Sequence, residues 1–172
     1  MIVFVRHGES EYNRKGLHQG QFDSPLTEDG KNQARNLKEV LSKYTFDRII
    51  CSPLSRTKVT AEIINENFNL PITFNEGLLE IDKGSFSGTY YKDYETIKKF
   101  KANPKLYGAE TKQEFYDRCI KAYKEIEKLD GNTLIVSHGG VYICIYKYLN
   151  NLDIDEKIHV LGNCEVYVCE KE

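Results

Sequence analysis

An arginine and a histidine stand side by side at Arg6-His7, directly after four apolar residues, Ile2 to Val5. Two later segments share this character: "RIIC" (48–51) runs into "SPLSRT" (52–57), and "TLIV" (133–136) runs into "SHGG" (137–140). Guanidinium forks match phosphate oxygens two at a time. A neutral imidazole of fixed tautomer is a nucleophile for phosphorus. The glycines after each histidine remove side-chain bulk and let backbone N–H groups approach an anion. Arg6, Arg56, His7 and His138 facing one point would repel each other when empty, and they suit a dianionic phosphate.

Such a cluster needs elements that bring the three segments together. Residues 2–5, 48–51 and 133–136 read as short, fully buried strands. Residues 71–74 and 165–169 are further strand candidates. A helix is expected from Thr27, with Ala34, Leu37, Leu41 and Tyr44 on its apolar face and Glu28 and Asp29 at its positive end. A second is expected to open at Ser52-Pro53, with Pro53 in its first turn and Leu54, Ala61, Ile64 and Phe68 on one side. Residues 81–89 read as a loop and 91–101 as a helix stopped by Asn103-Pro104. A long helix spans about 110–129, with Phe115, Cys119, Ala122, Ile126 and Leu129 in one stripe, and an apolar helix spans 141–149. This alternation predicts an α/β fold, a three-layer α/β/α sandwich around a mostly parallel sheet, as one domain over 1–172. In such sheets ligands bind beyond the carboxyl ends of the strands, and the three polar segments fall there. Two of them lead into helices, whose free N–H groups favour an anion.

Composition narrows the function classes. A net charge of −2 lacks the basic excess of a nucleic-acid or membrane-surface protein, so an anionic substrate has to be met by local arginines. No apolar run approaches the roughly 18 residues of a membrane span. The five cysteines include no Cys-x-x-Cys and read as small buried hydrophobes in a reducing compartment. The start has no basic stretch, and its apolar run is too short for a signal peptide, so a cytoplasmic location is expected.

"RHGE" (6–9) followed by Asn13, Gly20, "DSPLTEDGKNQA" (23–34), "SPLSRTKVTA" (52–61), Leu78-Leu79-Glu80, the Gly84–Gly88 loop, "SHGG" and Asn163 resembles the histidine phosphatase superfamily, the phosphoglycerate mutase-like proteins. The resemblance covers nearly the whole chain. It is nearest in look to alpha-ribazole phosphatases and broad-specificity phosphatases. It implies that His7 is the nucleophile and is transiently phosphorylated. By it, Arg6, Arg56 and His138 hold the phosphoryl oxygens. Glu80 protonates the leaving oxygen and then deprotonates water, although Glu76 and Asp82 lie close by. Asn13, Gln19, Gly20 and Gly139 would line the phosphate pocket, with a short lid at about 82–110. No metal or cofactor is implied. "AETKQEF" (109–115) departs from the family's more usual "GES" at Ala109 and Thr111.

Glu9 reads as a salt-bridge partner or an orienting group. His18 and His159 stand without company and read as structural or surface groups, and Lys92, Lys98, Lys99 and Lys101 as a solvated helix face. Phe86, Tyr90, Tyr91, Tyr94 and Phe100 read either as a wall of the site or as core. The expected reaction is hydrolysis of a small phosphorylated metabolite. Phosphoglycerate mutase-type transfer, phosphoprotein hydrolysis and mere phosphate binding stand as alternatives. The resemblance implies that mutases carry a longer insertion here with basic residues for a substrate carboxylate; residues 89–109 show no arginine pair, which disfavours the mutase. A glutamate acid suits an oxygen ester, whose alcohol needs a proton to leave. Neither monomer nor homodimer is favoured.

Overall fold

The computed structural model describes residues 1–170. Five strands form one sheet: β1 (Ile2–Arg6), β2 (Arg48–Cys51), β3 (Ile72–Phe74), β4 (Thr133–Ser137) and β5 (Val166–Val168), in the order β3-β2-β4-β1-β5. The first four are parallel, and β5 runs antiparallel on the edge beside β1. The helices are α1 (Glu11–Lys15), α2 (Glu28–Leu41), α3 (Ser55–Asn65), α4 (Tyr94–Ala102), α5 (Lys112–Ile126) and α6 (Gly139–Leu149).

Strand alternation sorts the core into two layers. Val3, Val5, Ile49, Cys51, Leu134 and Val136 face one way and pack with Leu37, Leu41, Ala61 and Ile64 of α2 and α3. Phe4, Ile50 and Ile135 face the other way and pack with Phe115, Cys119, Ile126, Val141 and Ile145 of α5 and α6. The result is the expected three-layer sandwich. Among the described residues no helix is long and apolar enough to cross a membrane.

Several boundaries differ from the sequence reading. α3 begins at Ser55, not at Pro53, because its first-turn donors are met from outside: the Asp23 carboxylate accepts from the Ser55 N–H at 2.9 Å and from its hydroxyl at 2.7 Å. Ser52 is thereby left free to bond His138. Tyr44 lies past the end of α2, and Leu129 lies past α5 with its side chain exposed. α4 starts at Tyr94 behind an Asp93 cap, and β5 is two residues shorter than expected. α1 was not expected; a Ser10–Asn13 capping box opens it and Gly16, at φ +68°, closes it.

The ends of the segment 83–109 are stapled together. The Glu110 N–H donates to the Asp82 carbonyl at 2.9 Å, and the Asp82 N–H donates to the Glu110 carboxylate at 2.8 Å.

The first turn of α2 touches the loop after β1 backbone to backbone. A Cβ on Gly30 would lie 2.1 Å from the Glu9 carbonyl oxygen, and one on Gly8 would lie 2.3 Å from the Gly30 carbonyl oxygen. In an open helix Gly→Ala stabilises by about 1 kcal/mol. Here Gly30→Ala is expected to destabilise by about 1–3 kcal/mol, the cost of overpacking. A lowered urea midpoint with unchanged slope is the measurement; a midpoint raised by the alanine would show that the two loops are free to part.

Candidate active site

Parallel register places three strand ends side by side. Arg6 pairs with Ser137 and Cys51 with Val136, so the residues that follow each strand emerge together. The His7 N–H donates to the Ser137 carbonyl, and the Ser52 N–H to the Val136 carbonyl. The rings of His7 and His138 then meet edge to face, 5.2 Å between centroids.

His7 is buried, and its Nδ1 lies 2.7 Å from the Gly8 carbonyl oxygen. A carbonyl only accepts, so Nδ1 carries the proton and Nε2 of the neutral ring keeps its lone pair. Burial pushes the His7 pKa well below 6.5, and the charges of Arg56 and Arg6 push it further the same way. The His138 pKa is lowered well below 6.5 by burial and then by Arg56. His138 Nε2 lies 2.8 Å from the Ser52 hydroxyl.

Arg56 is 1% exposed. Its two terminal nitrogens donate to the carbonyls of Phe22 (2.9 Å) and Gly20 (2.7 Å). Burial lowers its pKa to about 10, which leaves it cationic at neutral pH. Arg6 donates to the Leu161 carbonyl. Four buried polar atoms among the described residues lack a hydrogen-bond partner: Arg6 Nε, Arg56 Nε, His138 Nδ1 and His18 Nε2. Three of the four belong to the strand-end cluster. Buried polar groups are almost always paired, so three unpaired donor-bearing groups around one point fit an anion with several oxygens.

The cavity they surround has a volume of about 210 Å³. Its walls carry Arg6, His7, Asn13, Gln19, Gly20, Arg56, Glu80 and Gly140. Asn13 accepts from Asn163 at 3.2 Å, and Asn163 also donates to the His7 carbonyl, so the last loop is tied to the first. Gln19 accepts from the Ser10 hydroxyl at 2.9 Å. His138 lies behind the wall, fully buried, and Gly139 packs against Arg6; Gly140 takes the wall position expected of Gly139.

Comparison with known proteins decides the family. The family model of the histidine phosphatase superfamily, branch 1, matches residues 2–172. The chain belongs to the histidine phosphatase superfamily. Over 141 residues it is 37% identical to the uncharacterized phosphatase PhoE of Bacillus subtilis, covering 80% of this chain and 71% of that protein. Phosphoserine phosphatase 1 of Hydrogenobacter thermophilus is 33% identical over 165 residues, covering 90% and 78% of the two chains. The crystal structure of the alpha-ribazole phosphatase from Shigella flexneri superimposes with a TM-score of 0.79 at 27% identity, over 90% of this chain and 81% of that one. The chain is a phosphoric monoester hydrolase of the histidine phosphatase type.

Of the three carboxylates near the end of β3 in this histidine phosphatase, only Glu80 reaches the cavity wall. Its two oxygens accept from the Ile81 N–H (2.9 Å) and from the Gly140 N–H (3.1 Å) at the start of α6. A Cβ on Gly140 would lie 2.1 Å from Glu80 Oε1, so a larger residue there would push the carboxylate out of this position. Asp82 instead accepts from the Gly84 N–H at 2.8 Å, and Glu76 sits in the 3₁₀ turn Glu76–Leu78.

Arg118 of α5 was read only as a helix residue. Its guanidinium donates to the carbonyls of Gly77 (3.1 Å), Leu79 (3.0 Å) and Glu80 (3.3 Å) and forks onto Glu110 at 2.8 Å. It holds the turn that presents Glu80. Glu9 faces away from the cavity, accepting from Thr27 at 2.7 Å and from Arg14 at 2.8 Å.

Lys83 and Tyr91 also line the cavity; Tyr91 was among the aromatic residues read as a wall or as core, and Lys83 was not singled out. The aromatic residues divide. Phe86 is buried and stacks on Phe100 at 4.0 Å, whereas Tyr90 and Tyr94 are 64% and 75% exposed. His18 is not isolated: it packs against Phe86 and Tyr91, and its Nδ1 lies 2.8 Å from the Lys83 amine. His159 is exposed, away from the cavity.

Proposed function

We propose that this enzyme hydrolyses a small-molecule phosphate monoester through a phosphohistidine on His7. The observation that carries this reading is the convergence of a lone pair on His7 Nε2 with three buried, partnerless groups on Arg6, Arg56 and His138. His7 Nε2 attacks phosphorus in line with the ester oxygen. The P–O bond breaks, and its electron pair goes to the leaving oxygen, which takes the proton of a protonated Glu80. The resulting Glu80 carboxylate deprotonates a water, whose oxygen attacks the phosphohistidine. The P–N bond breaks and its electron pair returns to His7 Nε2, phosphate leaves, and the proton stays on Glu80 for the next cycle. Arg6 and Arg56 hold the phosphoryl oxygens while charge spreads over them, and His138 takes part once the bound ester opens the wall in front of it.

Hydrolysis is favoured over isomerisation because one narrow cavity accommodates one phosphoryl group, with water admitted from the short lid segment. Glu80 favours an oxygen ester over phosphohistidine in a protein. Alpha-ribazole phosphate and phosphoserine, to which the relatives' names point, head the panel of candidate esters. Five unpaired cysteines fit a cytoplasmic enzyme.

The test is phosphate release from p-nitrophenyl phosphate and from a panel of metabolite monoesters in the presence of EDTA. Release is expected. Conversion of phosphoglycerate to its isomer without free phosphate would replace the hydrolase by a mutase.

A further inference from the structure

We infer that Glu110 and Arg118 act together as positioning residues for Glu80, and so set how well the enzyme expels alcohols that need a proton to leave; this rests on the reading of Glu80 as the general acid. The pair grips the chain on both sides of Glu80. On the near side, Arg118 donates to the carbonyls of Glu76 (3.4 Å), Gly77 (3.1 Å), Leu79 (3.0 Å) and Glu80 itself (3.3 Å). On the far side, the Glu110 carboxylate accepts from the Asp82 N–H at 2.8 Å. The two grips are joined to each other, since Arg118 Nε and one terminal nitrogen each meet a Glu110 oxygen at 2.8 Å. Neither side chain lines the phosphate cavity, so both act through Glu80 and not on the ester.

The chemistry of the pair suits this task. Carbonyls that converge on one point repel one another unless a cation with several donors sits between them. A guanidinium has five N–H donors in one plane. This one lies 5.2 Å from the centre of the Phe115 ring. The carboxylate fork fixes the rotation of that plane. Both side chains are partly exposed, so without the fork the long arginine would be free to turn toward water. Burial alone would raise the Glu110 pKa, but the Arg118 fork and the Asp82 N–H bring it below the ordinary carboxylate value, so the ion pair is formed at neutral pH.

The Glu80 carbonyl has a second donor, the Gln21 amide at 3.1 Å, which follows Gly20 of the cavity wall. The acid is thereby located from the phosphate side as well as from α5. Its own oxygens are aimed by the Ile81 and Gly140 N–H groups, whereas Glu110 and Arg118 fix the backbone from which it projects. A proton donor has to lie within hydrogen-bond reach of the leaving oxygen, and a displacement of about 1 Å can cost about 100-fold in rate.

The test sets phenyl phosphate beside p-nitrophenyl phosphate, esters of like shape whose alcohols differ in acidity. Nitrophenolate leaves without a proton, whereas phenolate leaves readily only with one. kcat/KM covers the steps up to loss of the alcohol, so the later attack of water does not enter it. Glu110→Gln keeps the length of the side chain and loses its charge. It is expected to lower kcat/KM about 10- to 100-fold on phenyl phosphate and no more than about 3-fold on p-nitrophenyl phosphate, the cost of a displaced acid where an acid is needed. Arg118→Lys is expected to fall in the same selective way. A loss shared equally by both esters is what mere destabilisation produces, and it would overturn the inference, as would no loss at all. Glu114→Gln breaks the ion pair to Lys105 on the same helix and is expected to leave the ratio of the two esters unchanged. A selective loss there would assign the effect to α5 at large and sink the pair. In a Glu80→Gln background Glu110→Gln is expected to change the ratio no further, and a further change would mean that the pair acts other than through Glu80. If Glu80→Gln alone keeps the ratio of wild type, the general acid is lost and its support with it. If Glu80→Gln shifts the ratio and Glu110→Gln does not, only the support fails.

Discussion

His7→Ala is expected to lower phosphate release by roughly 10⁴-fold or more, since the nucleophile has no substitute within its cavity. Beyond His7 the wall carries no second imidazole, thiol or aliphatic hydroxyl; it holds cations, amides, one carboxylate, one phenol and apolar surface. Wild type quenched in mid-turnover should carry one phosphate per chain, labile to acid and stable to base, as expected for a phosphoramidate; the variant should carry none. Residual release within tenfold of wild type would mean that water attacks the bound ester directly. The alanine removes only one hydrogen bond of the imidazole, to Gly8, so the fold should survive the change.

The second large effect is on stability against acid. His7 and His138 are both buried, and both have pKa values held well below 6.5. In the unfolded chain they titrate near the ordinary value of about 6.5. Below that pH the unfolded chain binds protons that the folded one refuses, so stability falls as pH falls. The contribution is fully present above the unfolded value and is lost downward through it. The slope reaches about 1.4 kcal/mol per pH unit for each histidine. Between pH 7 and pH 5.5 the pair should remove about 2.5 kcal/mol of unfolding free energy, read from urea titrations at each pH. His18, lowered to about 4, acts in the same direction. An unfolding free energy that stays level over this range would show that both rings protonate in place, against the charges of Arg6 and Arg56.

The parts of this protein that the sequence discloses are those set by burial. Strands β1, β2 and β4 are covered on both faces, so each is a continuous apolar run that ends where the polar site begins. Arg6, His7, Arg56 and His138 were legible for that reason, and Glu80 through its resemblance to a family segment. What depends on the path of a loop was not legible. Lys83 reaches the cavity only because the chain turns at Gly84, with φ +49°, and packs on Gly20. Arg118 caps four carbonyls, those of Glu76, Gly77, Leu79 and Glu80, of a turn some 40 residues earlier in the chain, a relation no local pattern carries. Asp23 caps α3 across 32 residues for the same reason. Helix α1 buries none of its residues, so it has no apolar period to betray it; its Ser10–Asn13 box was the available sign.

The staple between Asp82 and Glu110 has a bearing on how such enzymes change substrate. Once both ends of a loop are fixed, the entropy of closing it grows only with the logarithm of its length, and doubling the length costs about 0.6 kcal/mol. Between its packed residues, such as the buried Phe86, the segment 83–109 can therefore lengthen or shorten at little cost in closure entropy. Glu80 lies outside the closed loop, tied to Gly140 and to the turn that Arg118 holds. The general acid and the surface that meets the alcohol are thus free to evolve at different rates, the first held by the sandwich and the second open to insertion.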